Sequence, residues 1–438
     1  MQKNKAVVSQ PIFTHGNSPA VRTSAEKQLR RSVLATMLWE DQFYEDGESI
    51  AARIEKLVAQ VSPQIVAALA VEAKQEQKLR HVPLLLASAL VRPATGTNLV
   101  SQLLPKVITR ADELGEFMAL YWSKGKTPLA KQVKMGLAQA LTQFDAYQLA
   151  KYDRARAVRL RDVLFLTHAK PKDEQQALIW KQLVDGTLPS ADTWEVALST
   201  GEDAKTSWER LLSEGKLGYL ALLRNLRNME KVGVDEALIR KALLARKGAD
   251  KVLPFRFIGA ARAAPSFERE LDQALIASIA QLPRFEGKTV VLVDVSGSMG
   301  TSVSSKSDLT RMDAAASLAS IFPSDDLKVY SFSDRVVQVP ARVGLAGIDA
   351  IRSSQPHGCT ALAEAVRTMN TKHPDADRLI VITDEQGTDG RVPAPVAKKA
   401  YMINVASCKN GVGYGQWTHL DGFSEGVLRW MAEFEKAQ

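Results

Sequence analysis

The sequence predicts two folds in series. An all-α module of HEAT-like helical repeats is expected over residues 1–285, and a doubly wound α/β domain over residues 286–438. Three observations carry this. Before about residue 285, apolar side chains recur at helical spacing in blocks bounded by proline and glycine. After it, continuous apolar runs alternate with helical patterns, as in a parallel sheet buried on both faces. At the end of the first such run stands Asp294-Val295-Ser296-Gly297-Ser298, a set of oxygen side chains on a turn.

The helical blocks include SAEKQLRRSVLATMLWE, PQIVAALAVEAKQ, LAKQVKMGLAQALTQF, GYLALLRNLRNM and DEALIRKALL. Pro63, Pro83, Pro93, Pro105, Pro128, Pro171 and Pro189 punctuate them, so the helices follow one another as hairpins. No exact repeat period is visible, which fits a degenerate α-solenoid with long surfaces for an extended polymer. In the second part KTVVLVDVS, DLKVYSFS, DRLIVITD and AYMINVAS read as strands. DAAASLASIF, ALAEAVRTMN and GVLRWMAEFEK read as helices, and APVAKKA as a helix start.

The chain of 438 residues is 45% hydrophobic and 24% charged, which excludes wholesale disorder and a collagen-like fibre. Two cysteines, Cys359 and Cys408, without a Cys-x-x-Cys pair, exclude a disulfide framework and a thiolate zinc finger. Two free thiols suit a reducing, cytoplasmic setting. The first residues lack the apolar run of a signal peptide, and no stretch reaches the roughly 20 apolar residues of a membrane span.

Charge is unevenly placed. Lys and Arg total 57 against 49 Asp and Glu, a net +8. Residues 121–172 hold eleven basic side chains (Lys124, Lys126, Lys131, Lys134, Lys151, Arg154, Arg156, Arg159, Arg161, Lys170, Lys172) and three acids. Elsewhere 46 basic residues (57 less 11) balance 46 acidic ones (49 less 3), so this segment carries the whole excess. Such a concentration reads as the footprint of a polyanion; the alternative is a solvated face whose counter-ions come from other helices. Gly125, Pro128 and Asp153 interrupt the segment, so it presents no single long face to a membrane.

Asp294, Ser296 and Ser298 can converge at a strand's carboxyl end. Thr360, in His-Gly-Cys-Thr, and Asp384, ending the strand Leu379–Thr383, reach the same sheet edge. Carboxylates and hydroxyls form a hard oxygen set, suited to Mg2+ or Mn2+. The order D-x-S-x-S, Thr, Asp resembles a von Willebrand factor A-type domain with a metal-ion-dependent adhesion site. The resemblance implies Ser296, Ser298 and Thr360 as hydroxyl ligands and Asp294 and Asp384 as charge-balancing acids. Cys359 stands where the family usually has a second glycine. The metal either locks the loops or accepts an acidic group from a partner. No nucleophile–base pair accompanies the site, so no catalysis is expected.

The two-part order resembles the Ro family, whose helical module is called TROVE. The likeness rests on Tyr121-Trp122 with Gly125-Lys126, Lys151-Tyr152 before a basic cluster, Leu160–Leu164, Thr167-His168-Ala169-Lys170-Pro171, Tyr219–Met229 and Leu253-Pro254-Phe255-Arg256. Arg154 and Arg156 flank Ala155, where the family places its second basic residue, and Arg159 stands where a capping Ser is common. The resemblance implies a ring of helix pairs that binds small non-coding Y RNAs on its outer surface. It also implies admission of single-stranded 3′ ends of misfolded RNAs into the hole, and partnership with an exoribonuclease through the RNA. The protein would then be a monomer within a ribonucleoprotein, without a membrane. Lys151 and His168 match the Y RNA surface, with Arg154 and Arg156 as near matches.

Arg161, Phe165 and His168 fall on one helical stripe, with Lys170 beyond it; His168 either meets RNA or caps its own helix. Arg224, Asn225, Arg227 and Asn228 occupy one half of a helical wheel, and a structural role for them is as consistent as RNA contact. Lys124 and Lys126 complete the candidates. The alternative function is a protein-interaction module whose metal captures an acidic partner residue.

Overall fold

Helix spacing sets the first layer of order. The structure, a computed structural model, describes residues 12–13, 19–20, 24–34, 47–153, 157–199, 203–252, 255–280, 282–302, 309–406, 416–422 and 426–436. Two units separate: residues 48–278, and residues 1–47 together with 279–438.

A two-residue hairpin, β1 (Ile12–Phe13) with β2 (Pro19–Ala20), precedes α1 (Ala25–Leu34). The helical unit then runs α2 (Gly47–Val58), α3 (Pro63–Gln75), α4 (Val82–Ala89), α5 (Leu99–Val107), α6 (Asp112–Tyr121), α7 (Lys131–Leu141), α8 (Ala146–Tyr152) and α9 (Leu160–Thr167). It continues as α10 (Glu174–Asp185), α11 (Trp194–Ser199), α12 (Ala204–Ser213), α13 (Tyr219–Lys231), α14 (Glu236–Ala245), α15 (Phe255–Ala263) and α16 (Glu268–Ile279). Alternate helices pack together: α3 on α5, α5 on α7, α7 on α9, α4 on α6, α12 on α14, and α13 on α15. Two offset layers of this kind are the signature of stacked helical hairpins. Close approach is built into the sequence at Gly136 of α7, where a Cβ would lie 2.8 Å from the Leu104 side chain of α5. Among the described residues, no helix is long and apolar enough to cross a membrane.

The second unit is a six-stranded sheet in the order β5-β4-β3-β6-β7-β8. Its strands are β3 (Phe285–Asp294), β4 (Ser324–Phe332), β5 (Val336–Val339), β6 (Arg378–Thr383), β7 (Lys399–Asn404) and β8 (Thr418–Asp421). Its helices are α17 (Arg311–Ser320), α18 (Leu345–Arg352), α19 (Leu362–Lys372) and α20 (Gly426–Lys436). Val290 and Leu292 of β3 pack with Leu362, Val366 and Met369 of α19. The alternate residues Val291 and Val293 are equally buried on the opposite face. α17 also packs against β3 and takes no part in the α19 cluster, so helices cover both faces of a doubly wound sheet.

Three departures from the sequence reading are informative. The sheet is parallel except for β5, which pairs antiparallel with β4 at the edge. The stretch APVAKKA does not start a helix; residues 393–398 are irregular and Lys399 opens β7. Pro393 and Pro395 disfavour the α conformation in the residues before them. Finally, α1 groups by its contacts with the sheet, a packing of which the sequence carries no sign.

Candidate nucleic-acid interface and metal centre

The oxygen residues meet where the strand order reverses. β3 lies between β4 and β6, parallel to both, and the crevice at such a switch point is the binding position of doubly wound sheets. Asp294 ends β3, Asp384 follows β6, and both are fully buried. The Ser296 amide donates to Asp294 Oδ1 at 2.9 Å, closing the turn. Thr383 Oγ1 donates to Asp294 Oδ2 at 2.6 Å. Ser296 Oγ and Ser298 Oγ lie 3.3 Å apart.

The Thr360 loop is pinned to this turn. Gly297 N donates to Gly358 O at 3.0 Å, and His357 Nδ1 lies 2.8 Å from Val295 O, which makes it the donor. His357 Nδ1 is thereby engaged with the backbone. A Cβ at Gly358 would fall 1.8 Å from Asp334 Oδ2, so any larger residue there must displace the Asp334 side chain. The neighbouring Cys359 is exposed and donates its amide to Asp334 Oδ1 at 2.8 Å, so replacing the second glycine leaves Thr360 buried in place. Cys408 lies outside the described residues.

Burial, and then the neighbouring Asp384, raise the Asp294 carboxyl above the usual range. Burial raises Asp384 as well, opposed by the Ser298 hydroxyl and the Arg311 guanidinium. Arg311 Nη1 stands 3.8 Å from Asp384 Oδ2, an ion-pair distance and too long for a hydrogen bond. It is aimed by the capping box of α17, where Thr310 and Asp313 exchange backbone bonds of 2.8 and 3.1 Å. Asp384 Oδ2 is buried without a hydrogen-bond partner among the described residues. Two buried carboxylates, one with an unfilled oxygen, beside paired hydroxyls fit a hard divalent cation. They do not fit a soft metal, because among the described residues no nitrogen or thiolate completes the set.

The basic segment occupies the α6–α10 block of the helical unit, where α6 and α7 pack on α9 and α10 packs on α8 and α9. Gly115 of α6 admits the chain after α8 closely; a Cβ there would lie 3.0 Å from Val158 O. Tyr121 and Trp122 shape the next turn: Trp122 Nε1 donates to Thr127 O at 2.8 Å, and Lys126 Nζ lies 5.6 Å from the indole centre. Lys151 sits over Tyr152 at 5.6 Å, and Arg110 over the same ring at 4.9 Å.

On α9, Arg161 and Phe165 are exposed, Phe165 by 57%. His168 takes the left-handed conformation (φ 52°, ψ 40°) and ends the helix. Its backbone N–H makes the capping bond to Phe165 O, which leaves the exposed imidazole clear of that task. Lys170 is exposed just beyond. Arg154 and Arg156 lie outside the described residues. Nine of the eleven cations are therefore described, and among them only Lys124 is ion-paired within 4.0 Å, to Glu55 of α2. Apart from that pair, no described cation of the stretch has a carboxylate within 4.0 Å.

Arg224 and Arg227 are exposed on α13, apart from the α6–α10 block. Asn225 departs from the helical-wheel reading: it is 5% exposed and donates to Ala221 O at 2.9 Å, while Asn228 donates to Asn225 Oδ1 at 3.2 Å. The amides thus stabilise the helix, and only the two arginines and Asn228 face solvent.

A double layer of helical hairpins followed by an A-type α/β unit is the architecture of Ro-type RNA-binding proteins. The TROVE domain family matches residues 24–186 and 180–286, and the chain belongs to that family. The von Willebrand factor type A domain matches residues 289–387. The crystal structure of the Ro (Rsr) protein of Deinococcus radiodurans is similar in fold, with a TM-score of 0.62 and 20% identity over 94% of this chain and 100% of that one. Telomerase protein component 1 of Rattus norvegicus and of Mus musculus each share 33% identity over 89 residues. That stretch is 19% of this chain and 3% of those much longer proteins.

Proposed function

We propose that this protein binds small non-coding Y-type RNA along the α6–α10 block and takes up single-stranded 3′ ends of misfolded structured RNA. It acts in RNA handling as a scaffold without catalysis of its own, with an exoribonuclease as a partner reached through the RNA. The observation that carries this reading is the stretch of mostly exposed cations, which among the described residues holds a single internal ion pair. Phosphates supply the counter-charge that the protein does not. Lys151, Arg161, His168 and Lys170 form the contact set, with Phe165 as a platform for an unpaired base.

The test is to purify the intact chain at about physiological salt, sequence the RNA that accompanies it, and titrate that RNA back in a gel shift. Enrichment of one small structured RNA species that binds again at submicromolar concentration is the expected result. Recovery of only bulk cellular RNA, in proportion to its abundance, would overturn the reading.

The sheet unit is proposed to hold Mg2+ or Mn2+ through Ser296, Ser298 and Thr360, with Asp294 and Asp384 balancing the charge. A ligand at a hundred times its Kd stabilises a folded unit by about 2.7 kcal/mol, a shift of several degrees. Millimolar Mg2+ is thus expected to raise the melting temperature of the sheet unit. Asp294→Asn removes that response; its metal-free melt gains from the lost buried charge and loses one of the two hydrogen bonds the carboxylate accepts, so the readout is the Mg2+ response and not the melt itself. An unchanged Mg2+ response in Asp294→Asn would disprove the ligand assignment.

A further inference from the structure

We infer that the N-terminal helix α1 is a positioning element of the metal centre, acting through Arg31. The inference rests on the metal reading above and goes beyond it, because no residue before Asp294 belongs to that ligand set.

Arg31 is 3% exposed and lies 354 positions from its partner, Glu385. Its Nη2 donates to Glu385 Oε1 at 2.8 Å, and His419 Nε2 of β8 lies 2.7 Å from each of these atoms. Glu385 is fully buried and directly follows Asp384. It holds φ at 60°, a left-handed conformation that is uncommon for a residue other than glycine and persists where the surroundings impose it. Helix α1 is seated by more than this contact. Leu29, Val33 and Leu34 are buried, α1 packs against β8, and a Cβ at Gly422 would lie 3.4 Å from Leu34 O.

From Glu385 a directional path reaches the centre. The Glu385 amide donates to Thr383 Oγ1 at 2.9 Å. The single hydroxyl proton of Thr383 is then committed to Asp294 Oδ2, at 2.6 Å. The same short loop therefore holds the Arg31 partner, the amide that orients Thr383, and Asp384 itself. Without the guanidinium, a buried carboxylate on a strained backbone is relieved by turning outward. That movement withdraws the amide from Thr383 and displaces Asp384 next to it. Groups that orient the residues around a metal typically change its affinity by 10- to 100-fold when removed.

The experiment uses the full chain and Mn2+ as probe, followed by electron paramagnetic resonance. Wild type is expected to bind one Mn2+, Arg31→Met to bind it at least tenfold more weakly, and Arg31→Lys to fall between. Coupling is reciprocal, so saturating Mn2+ should slow amide hydrogen exchange across residues 25–34 of the wild type by about tenfold. Asp294→Asn should show no such slowing. The exchange measurement needs no change in α1 and stands even where Arg31→Met fails to fold. A folded Arg31→Met with wild-type Mn2+ affinity, or α1 exchange indifferent to bound Mn2+, overturns the inference and leaves the metal reading intact. Failure of the wild type to bind Mn2+ overturns both.

Discussion

Replacing Lys151, Arg161 and Lys170 together by alanine should weaken RNA binding about a hundredfold at physiological salt. The figure follows from counter-ion release: each lost phosphate contact removes about 0.7–0.9 from the slope of log K against log salt. Three contacts then lower the slope by about 2 and the affinity at 0.15 M salt by about two decades. All three side chains are charged, none is ion-paired within 4.0 Å among the described residues, and Lys170 and Arg161 are exposed. Their removal breaks no ion pair among the described residues, and the Lys151–Tyr152 cation–π contact is worth about 1 kcal/mol at most, so thermal stability should change little. Lys124→Ala is the comparison: its charge is already matched by Glu55, and its effect on the slope should be well under one contact.

Phe165→Ala separates the two kinds of contact. Base stacking contributes about 1–3 kcal/mol without releasing counter-ions. The variant should lose affinity while its salt slope equals that of the wild type. Filter-binding titrations between about 0.05 and 0.3 M salt measure both quantities. A triple variant with an unaltered slope would show that the stretch is not the phosphate-binding surface.

What the sequence made legible was periodicity and local oxygen chemistry. The buried strand Thr289–Val293 with Asp294 at its end needs only a window of ten residues, and its place in β3 follows directly. The block PQIVAALAVEAKQ is α3 residue for residue, because Pro63 fixes its start. Short elements without a buried run of their own were illegible. β5 and β8 have four residues each, and their pairing with β4 and β7, not their composition, makes them strands. Asn225 sits in the polar half of the wheel, and a wheel alone does not reveal that it is buried. The Arg31–Glu385–His419 cluster left no signal at all. Arg31 is 354 positions from Glu385 and 388 from His419, and nothing local distinguishes Arg31 from Arg30.

The same limit hid a second long-range device, and its loss should destabilise the sheet unit strongly. Glu435 of α20 accepts from Arg378 Nε at 2.6 Å, from Lys399 Nζ at 2.8 Å and from Tyr401 OH at 2.8 Å. It ties the last helix to β6 and β7, and Arg378 beneath it is 3% exposed. Burial pushes the Glu435 carboxyl up, but the bonds from Arg378, Lys399 and Tyr401 outweigh it and hold the pKa down at about 2. Glu435→Gln leaves the buried guanidinium without its counter-charge, which costs about 3 kcal/mol or more.

The pH dependence has a definite sign. An unfolded glutamate titrates near pH 4.3, so between there and about 2 the unfolded chain holds more protons than the folded one. The stabilisation is therefore complete above about pH 5 and is lost as pH falls toward 2. Urea denaturation of the wild type and Glu435→Gln should differ by about 3 kcal/mol at pH 7 and by less than half of that at pH 3. A difference that stayed constant across this range would assign the contribution of Glu435 to packing instead of charge. A difference that grew on acidification would contradict the ion-pair account altogether, since protonation makes the wild-type side chain resemble the variant's.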